Sequence, residues 1–269
     1  MERYLYRLSR SKYADRLVLK GALMIAMWNA PASRPTRDID FLAELDDDVE
    51  TIKSIVKEIC LQEIEPDGLV FDFESIVGEV IKESDEYPGV RVKFEGHMDE
   101  ARVHMQLDFG FGDVVVPHTI EVVYPTLLDM HHPRLLGYTQ ETVIAEKLES
   151  IARLELINSR IKDFYDIWLL SMENAFEGKT LQLALIETFK RRNRELTTDV
   201  LRIIDEFSKT DRAAERWVIL RRKARLENAP DDFQDIAKVI TRFVGPLIKA
   251  VEQGRPSPGR WDPAGPWHD

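Results

Sequence analysis

"RPTRDIDF", residues 34 to 41, sets two aspartates two residues apart at the start of an apolar run. Extended to "RDIDFLAEL", the stretch alternates as a strand does, and in a strand residues i and i+2 point to one face. Asp38 and Asp40 then lie side by side, with Ile39 and Phe41 directed to the other face. Two adjacent carboxylates repel each other unless a cation lies between them. They are either both solvated or the start of a metal site, and the motif alone leaves both open.

A second strand poses the same choice. In "ARVHMQLDF", Val103, Met105 and Leu107 alternate with Arg102, His104, Gln106 and Asp108, so Asp108 ends the polar face just before the bend-prone "GFGD". If the two strands are neighbours, three carboxylates converge. Oxygen ligands on a sheet, with positions left for water and phosphate, suit hard Mg²⁺ rather than zinc. A two-metal version would activate an attacking hydroxyl and stabilise a leaving pyrophosphate.

Working outward, "ADRLVLKGALMIAMW" has apolar residues at helical spacing and is expected to form one helix with Gly21 inside it, at a point of close backbone approach. "NAPASRPT" is a loop by composition. "DDDVETIKSIVKEICLQEI" opens with acids and continues with a helical period. "GLVFDFESIVGEVI", "YPGVRVKFEGHM" and "ARVHMQLDFGFGDVVV" supply strands of a mixed sheet. Beyond "YPTLLD" the segments are helix-periodic up to "FQDIAKVITRFVGPLIKAV". The expected fold class is α+β, with residues 1–130 as the sheet domain, 131–252 as a helical domain, and a Pro- and Gly-rich tail over 253–269 that is flexible or laid along the surface.

Composition narrows the class further. Hydrophobic residues make up 44% and charged residues 32%, the balance of an ordered globular chain. Cys60 is the only cysteine, so an intrachain disulfide is impossible and a reducing cytoplasm is expected. No membrane association is expected, since the apolar run "ALMIAMWNAPAS" is too short to span and reads as a buried helix. The net charge of −11 argues against nucleic-acid binding over the whole surface, yet residues 187 to 225 carry 12 Lys and Arg against 7 Asp and Glu. That stretch includes "KRRNRE", with Arg191, Arg192 and Arg194, and is either a solvated helical face or a docking face for a polyanion.

In "TVIAEKLESIARL", Lys147 falls within the apolar face formed by Val143, Ile144, Leu148, Ile151 and Leu154. It snorkels to the edge, pairs with an internal acid, Glu155 being one candidate, or projects into a cleft to neutralise a triphosphate. "RIKDFYDIWLL" sets Asp163 and Asp166 on one helix flank, either as helix-surface charges or with one of them paired to Lys147 or Lys162 and orienting it.

In this order, "LVLKGALMIAMW", "RPTRDIDFLAEL", "QLDFGFGD", "AEKLESIARL" and "RIKDFYDIWLL" resemble the AbiEii-type nucleotidyltransferase-like toxins of abortive-infection and type IV toxin–antitoxin systems. The resemblance covers roughly residues 14 to 170. It implies a minimal nucleotidyltransferase fold followed by helices. It further implies that Gly21 begins the glycine motif beside the nucleotide phosphates, that Asp38, Asp40 and Asp108 bind Mg²⁺, that Lys147 contacts the triphosphate, and that Asp163 supports the site. Thr36 matches a position usually held by Ser or Thr, and Arg34 and Arg37 match a basic flank of the nucleotide. One departure is that Gly21 is followed by Ala22, where the broader superfamily has Gly-Gly or Gly-Ser, so a hydroxyl for a phosphate oxygen is missing.

The resulting expectation is an enzyme that moves NMP from an NTP to an acceptor hydroxyl, with tRNA as the implied acceptor and Arg191, Arg192 and Arg194 as candidate RNA contacts. A cognate antitoxin acting without tight complex formation is implied as well. An enzyme modifying a small aminoglycoside-like acceptor and a non-catalytic nucleotide binder are the alternatives.

Overall fold

The computed structural model describes residues 1–29, 36, 38–82, 88–155 and 160–268. These fall into two compact units, the first comprising Met1–Met27, Thr36–Asp113 and Thr119–Tyr138, the second Trp28–Pro35, Val114–His118 and Thr139–Asp269.

The first unit is built on a seven-stranded mixed sheet in the order β3-β4-β5-β2-β1-β7-β6. Its strands are β1 (Leu17–Lys20), β2 (Asp38–Ala43), β3 (Leu69–Lys82), β4 (Pro88–Met98), β5 (Ala101–Phe111), β6 (Ile120–Val123) and β7 (Arg134–Gly137), accompanied by helices α1 (Glu2–Ser9), α2 (Ala22–Asn29) and α3 (Val49–Cys60). The acidic strand β2 is therefore the central one, parallel to β5 on one side and antiparallel to β1 on the other. Alternation along it is as the sequence requires: Ile39 and Phe41 are buried while Asp38 and Asp40 are partly open. Phe41 stacks on Phe109 of β5 at 5.6 Å between ring centres, which fixes the apolar face of this strand pair.

The single helix expected over residues 14 to 28 does not form. Instead β1 ends at Lys20, Gly21 turns the chain at φ +72°, and α2 begins at Ala22. Leu17, Val18 and Leu19 are all buried, a continuous apolar run that serves a central strand as readily as a helix. What decides between them is pairing, since β1 is held by β2 and β7 from both sides.

The second unit is mainly helical: α4 (Gln140–Leu154), α5 (Ile161–Glu173), α6 (Gly178–Arg191), α7 (Asp199–Ser208), α8 (Asp211–Ala224) and α9 (Phe233–Glu252). Phe164, Phe207, Phe233 and Trp217 form its aromatic centre, with ring centres 5.2 to 6.1 Å apart. The tail is not loose. Its β9 (Arg260–Trp261) and β10 (Trp267–His268) join β8 (Phe176–Glu177) in a three-stranded sheet. Trp261 is fully buried and donates from its indole to the Ser171 carbonyl at 2.8 Å. The Pro and Gly residues shape turns between large aromatic anchors, and those anchors hold this segment in place.

Candidate active site

Strand register brings the acidic motif into a row of charges. Across four adjacent strands, Arg91 of β4 faces Asp108 of β5, Asp108 faces Asp40 of β2, and Asp40 faces Lys20 of β1. In-register residues on neighbouring strands share a face, so the row runs cation, anion, anion, cation. Asp38 lies on the same face two residues from Asp40.

Gly21 is shaped for this row. A Cβ at this position would collide with Asp40 Oδ2, so the carboxylate occupies space that only glycine leaves. Its positive φ is a second reason for glycine. The close approach expected of Gly21 is thus an approach of backbone to a site carboxylate.

Asp108 is firmly engaged. Arg91 donates from Nε to Oδ1 at 2.8 Å and from Nη2 to Oδ2 at 2.6 Å, a two-point fork, while Gln106 Nε2 sits at 3.3 and 3.4 Å from the same oxygens. The hydrogen bond to Asp108, and the charges of Asp108, Asp38 and Glu79, hold the guanidinium above its ordinary value against the effect of burial. Lys20 Nζ lies 3.0 Å from Asp113 Oδ2 and beside the bare Cα of Gly110.

The strands carrying Asp38, Asp40 and Asp108 are neighbours, yet the three carboxylates do not gather. Among the described residues, no group of three or more His, Cys, Asp or Glu is placed to hold a metal ion. Arg91 bonds both oxygens of Asp108. The oxygen donors on this face are Asp38 and Asp40, the latter against Gly21, with Asp108 next in register. All are oxygen ligands, which fits a hard ion.

Thr36 Oγ1 is 3.4 Å from the Asp38 carbonyl, a long contact that caps the start of β2. Arg34 and Arg37, the expected basic flank, lie outside the described residues.

In the second unit, Lys147 of α4 takes the internal-pair option. Its Nζ is 2.9 Å from Asp163 Oδ1 and 2.7 Å from Asp166 Oδ2, both on α5, and its side chain is 12% exposed. Both aspartates are buried, so one cation is set against two buried anions. Glu155, the other candidate partner, is exposed. Arg194 donates to the Ala152 carbonyl at 3.2 Å and lies 3.9 Å from Glu149, so it contributes to packing as well as to surface charge. Arg191 and Arg192, at the end of α6, are partly exposed.

Sequence reasoning did not single out Lys20 or Arg91. For Arg91 a signal was present: the short turn between "YPGVRVKFEGHM" and "ARVHMQLDF" sets the hairpin register, and counting back from it pairs Arg91 with Asp108.

The family model described as "Nucleotidyl transferase AbiEii toxin, Type IV TA system" matches residues 3–239. A search of curated proteins found no match. Among solved structures, JHP933 from Helicobacter pylori is similar at 15% identity and a TM-score of 0.50, covering 94% of this chain and 90% of that one. A second H. pylori structure, described only as a candidate nucleotidyltransferase, is similar at 14% identity and a TM-score of 0.51, with 94% of each chain covered. These likenesses establish a shared fold, and the family match spans most of the chain, so this protein belongs to the AbiEii nucleotidyl transferase toxins of type IV toxin–antitoxin systems.

Proposed function

We propose that this nucleotidyltransferase is Mg²⁺-dependent, takes an NTP, and transfers NMP to a hydroxyl of tRNA in the cytoplasm. The single observation that carries the reading is the Asp40 carboxylate seated on Gly21, in register with Asp108 and beside Asp38. It joins a glycine turn at the start of α2 to the residues suited to a divalent cation.

Asp38 and Asp40 are the residues that would hold Mg²⁺. When bound there, the ion would supply positive charge against that of the triphosphate and of the departing pyrophosphate. In the reaction, an acceptor oxygen forms a bond to the α-phosphorus, and the bond from that phosphorus to the bridging oxygen breaks. Pyrophosphate leaves with the electron pair. Asp108 is the residue assigned to receive the proton of the acceptor hydroxyl, once released from Arg91. Lys147, oriented by Asp163 and Asp166, is assigned on the sequence resemblance to offset triphosphate charge. Gly21, Thr36 and Arg37 are assigned to the nucleotide on the same basis.

Arg191, Arg192 and Arg194 are the proposed RNA contacts, a basic group within a chain of net charge −11. A cognate antitoxin is expected to act without remaining bound.

The test is incubation of the purified protein with Mg²⁺, total tRNA and each α-labelled NTP in turn, with Asp40→Ala as control. Label entering tRNA only with the intact aspartate supports the reading and identifies the nucleotide. Label entering a small hydroxylated acceptor instead would replace tRNA in it, and NTP binding with no pyrophosphate release would remove the enzymatic assignment.

A further inference from the structure

Lys20 reaches across the strand that carries the acidic motif. It is the last residue of β1, directly before Gly21, yet its ammonium lies beside Gly110 of β5, and in the sheet β2 runs between those two strands. Neighbouring strands are about 4.8 Å apart, so crossing two intervals takes nearly the whole length of a lysine side chain. The ammonium is enclosed where it ends. Asp113, in the turn after β5, places Oδ2 3.0 Å from Nζ, and the two side chains are only 15% and 7% exposed. Tyr138, fully buried just beyond β7, has its ring centre 5.8 Å from Nζ, and its amide donates to the Leu19 carbonyl at 3.0 Å. Gly110 supplies the space, since a Cβ there would come within 2.9 Å of Nζ. Its φ is not positive, so the backbone does not call for glycine and room for the ammonium is what does.

We propose that Lys20 is a positioning residue for nucleotidyl transfer: its ammonium, seated over Gly110 against Asp113, straps the end of β1, and so the Gly21 turn, to the end of β5 across β2. The inference rests on the reading that Asp38, Asp40 and Asp108 serve the transfer. Both ends of the strap adjoin those residues, because Gly21 packs against Asp40 and Gly110 follows Asp108 by two residues on the same face. An ion pair largely shut off from water loses much when broken from one side, so it holds a geometry that an exposed pair would not. Reacting groups displaced by about 1 Å lose on the order of 100-fold in rate. A strap that keeps three strand ends in place therefore acts on the chemistry without touching the substrate.

The experiment compares the parent chain with Lys20→Ala, Gly110→Ala, the Lys20→Ala/Gly110→Ala double variant, Asp113→Asn and Asp40→Ala. Lys12→Ala, which removes the exposed ion pair with Glu58, is the control. Thermal melts set a temperature at which every variant is folded, and labelled transfer to tRNA and peptide-level hydrogen exchange are measured there. Lys20→Ala should lower the rate at saturating NTP about 100-fold, and should speed exchange over residues 19–25 and 108–114 while leaving β3 as in the parent. Gly110→Ala displaces only the end of a flexible side chain, so it should cost about tenfold in rate and little stability. Added to Lys20→Ala it should change nothing, because the seat is then empty. Asp113→Asn should shift rate and exchange in the same direction as Lys20→Ala, and Lys12→Ala should match the parent. Exchange speeded equally across the sheet, or single effects of Lys20→Ala and Gly110→Ala that multiply in the double variant, would overturn the positioning role and leave the transferase reading standing. Transfer that survives Asp40→Ala, or none by the parent, would instead remove that reading, and this inference with it.

Discussion

Gly21 is the residue on which strand end, helix start and candidate site depend together. It has φ +72°, and a side chain there would strike the Asp40 carboxylate. Gly21→Ala should therefore destabilise the protein by about 2 kcal/mol through backbone strain alone. It should also abolish nucleotidyl transfer, because Asp40 must move. A thermal melt read alongside labelled transfer checks both, and an active, equally stable variant would contradict the account. Cys60 gives a second residue-level expectation. Burial pushes its thiol up to about 12, slightly offset by the Arg7 charge, so it is neutral at pH 8 as well as enclosed. Iodoacetamide at pH 8 should leave the native thiol unmodified over a period in which the denatured chain is fully alkylated, as mass spectrometry would show. Native-state alkylation at a comparable rate would rule out that environment.

Among the elements, α1 and the β4–β5 hairpin are both organised by arginine forks. Arg3 and Arg7, on one face of α1, converge on Asp67, with Arg3 Nε at 2.9 Å and Arg7 Nη1 at 2.6 Å from Oδ2. All three side chains are buried, so removing the acid strands two cations. Asp67→Ala should destabilise the fold by about 3 kcal/mol in a denaturant titration, the range for breaking a buried pair from one side. For the Asp67 carboxyl, burial favours the neutral form, but hydrogen bonds from Arg7 and Arg3 outweigh it and hold the group below its ordinary 3.8. A lowered folded-state value means that the stabilisation is present above 3.8 and fades as pH falls through the folded value. The stability gap between parent and Asp67→Ala should accordingly be constant near neutrality and narrow below pH 4. A gap unchanged in that acid range would show that its charge is not what matters.

Charge separates the roles of surface regions across the whole molecule. In a chain of net −11, a polyanion is favoured only where cations concentrate, and the stretch from 187 to 225, the proposed RNA contact, is such a place. Replacing Arg191 and Arg192 by Ala should weaken tRNA binding and lower the slope of log affinity against log salt by about 1.4, at roughly 0.7 per phosphate contact on single strands. Arg194, which donates to the Ala152 carbonyl, is replaced in a separate arm, and a thermal melt of every variant sets packing apart from charge. Filter binding at several salt concentrations measures the slope, and an unaltered slope would remove this region from the RNA contact. Among the described residues no helix is long and apolar enough to cross a membrane, which matches the short apolar run around α2.

The sequence by itself determined which residues share a face. Alternation placed Asp38 with Asp40, helical period placed Lys147 among apolar neighbours and Asp163 beside Asp166, and the order of motifs was enough to indicate the fold and family. Local periodicity reports such relations because side-chain direction repeats every two residues in a strand and every 3.6 in a helix. Only the tertiary structure decided what those faces meet. "LVL" before Gly21 suits a strand or a helix until β2 and β7 bind it from both sides. The proline-rich tail reads as either flexible or laid along the surface until the burial of Trp261 fixes it. Lys147 had several open fates until Asp163 and Asp166 were brought against it. The pairing of Arg91 with Asp108 depends on the hairpin register, which brings together side chains 17 residues apart. Each of these is a long-range contact, and its energy depends on distances that no local pattern encodes.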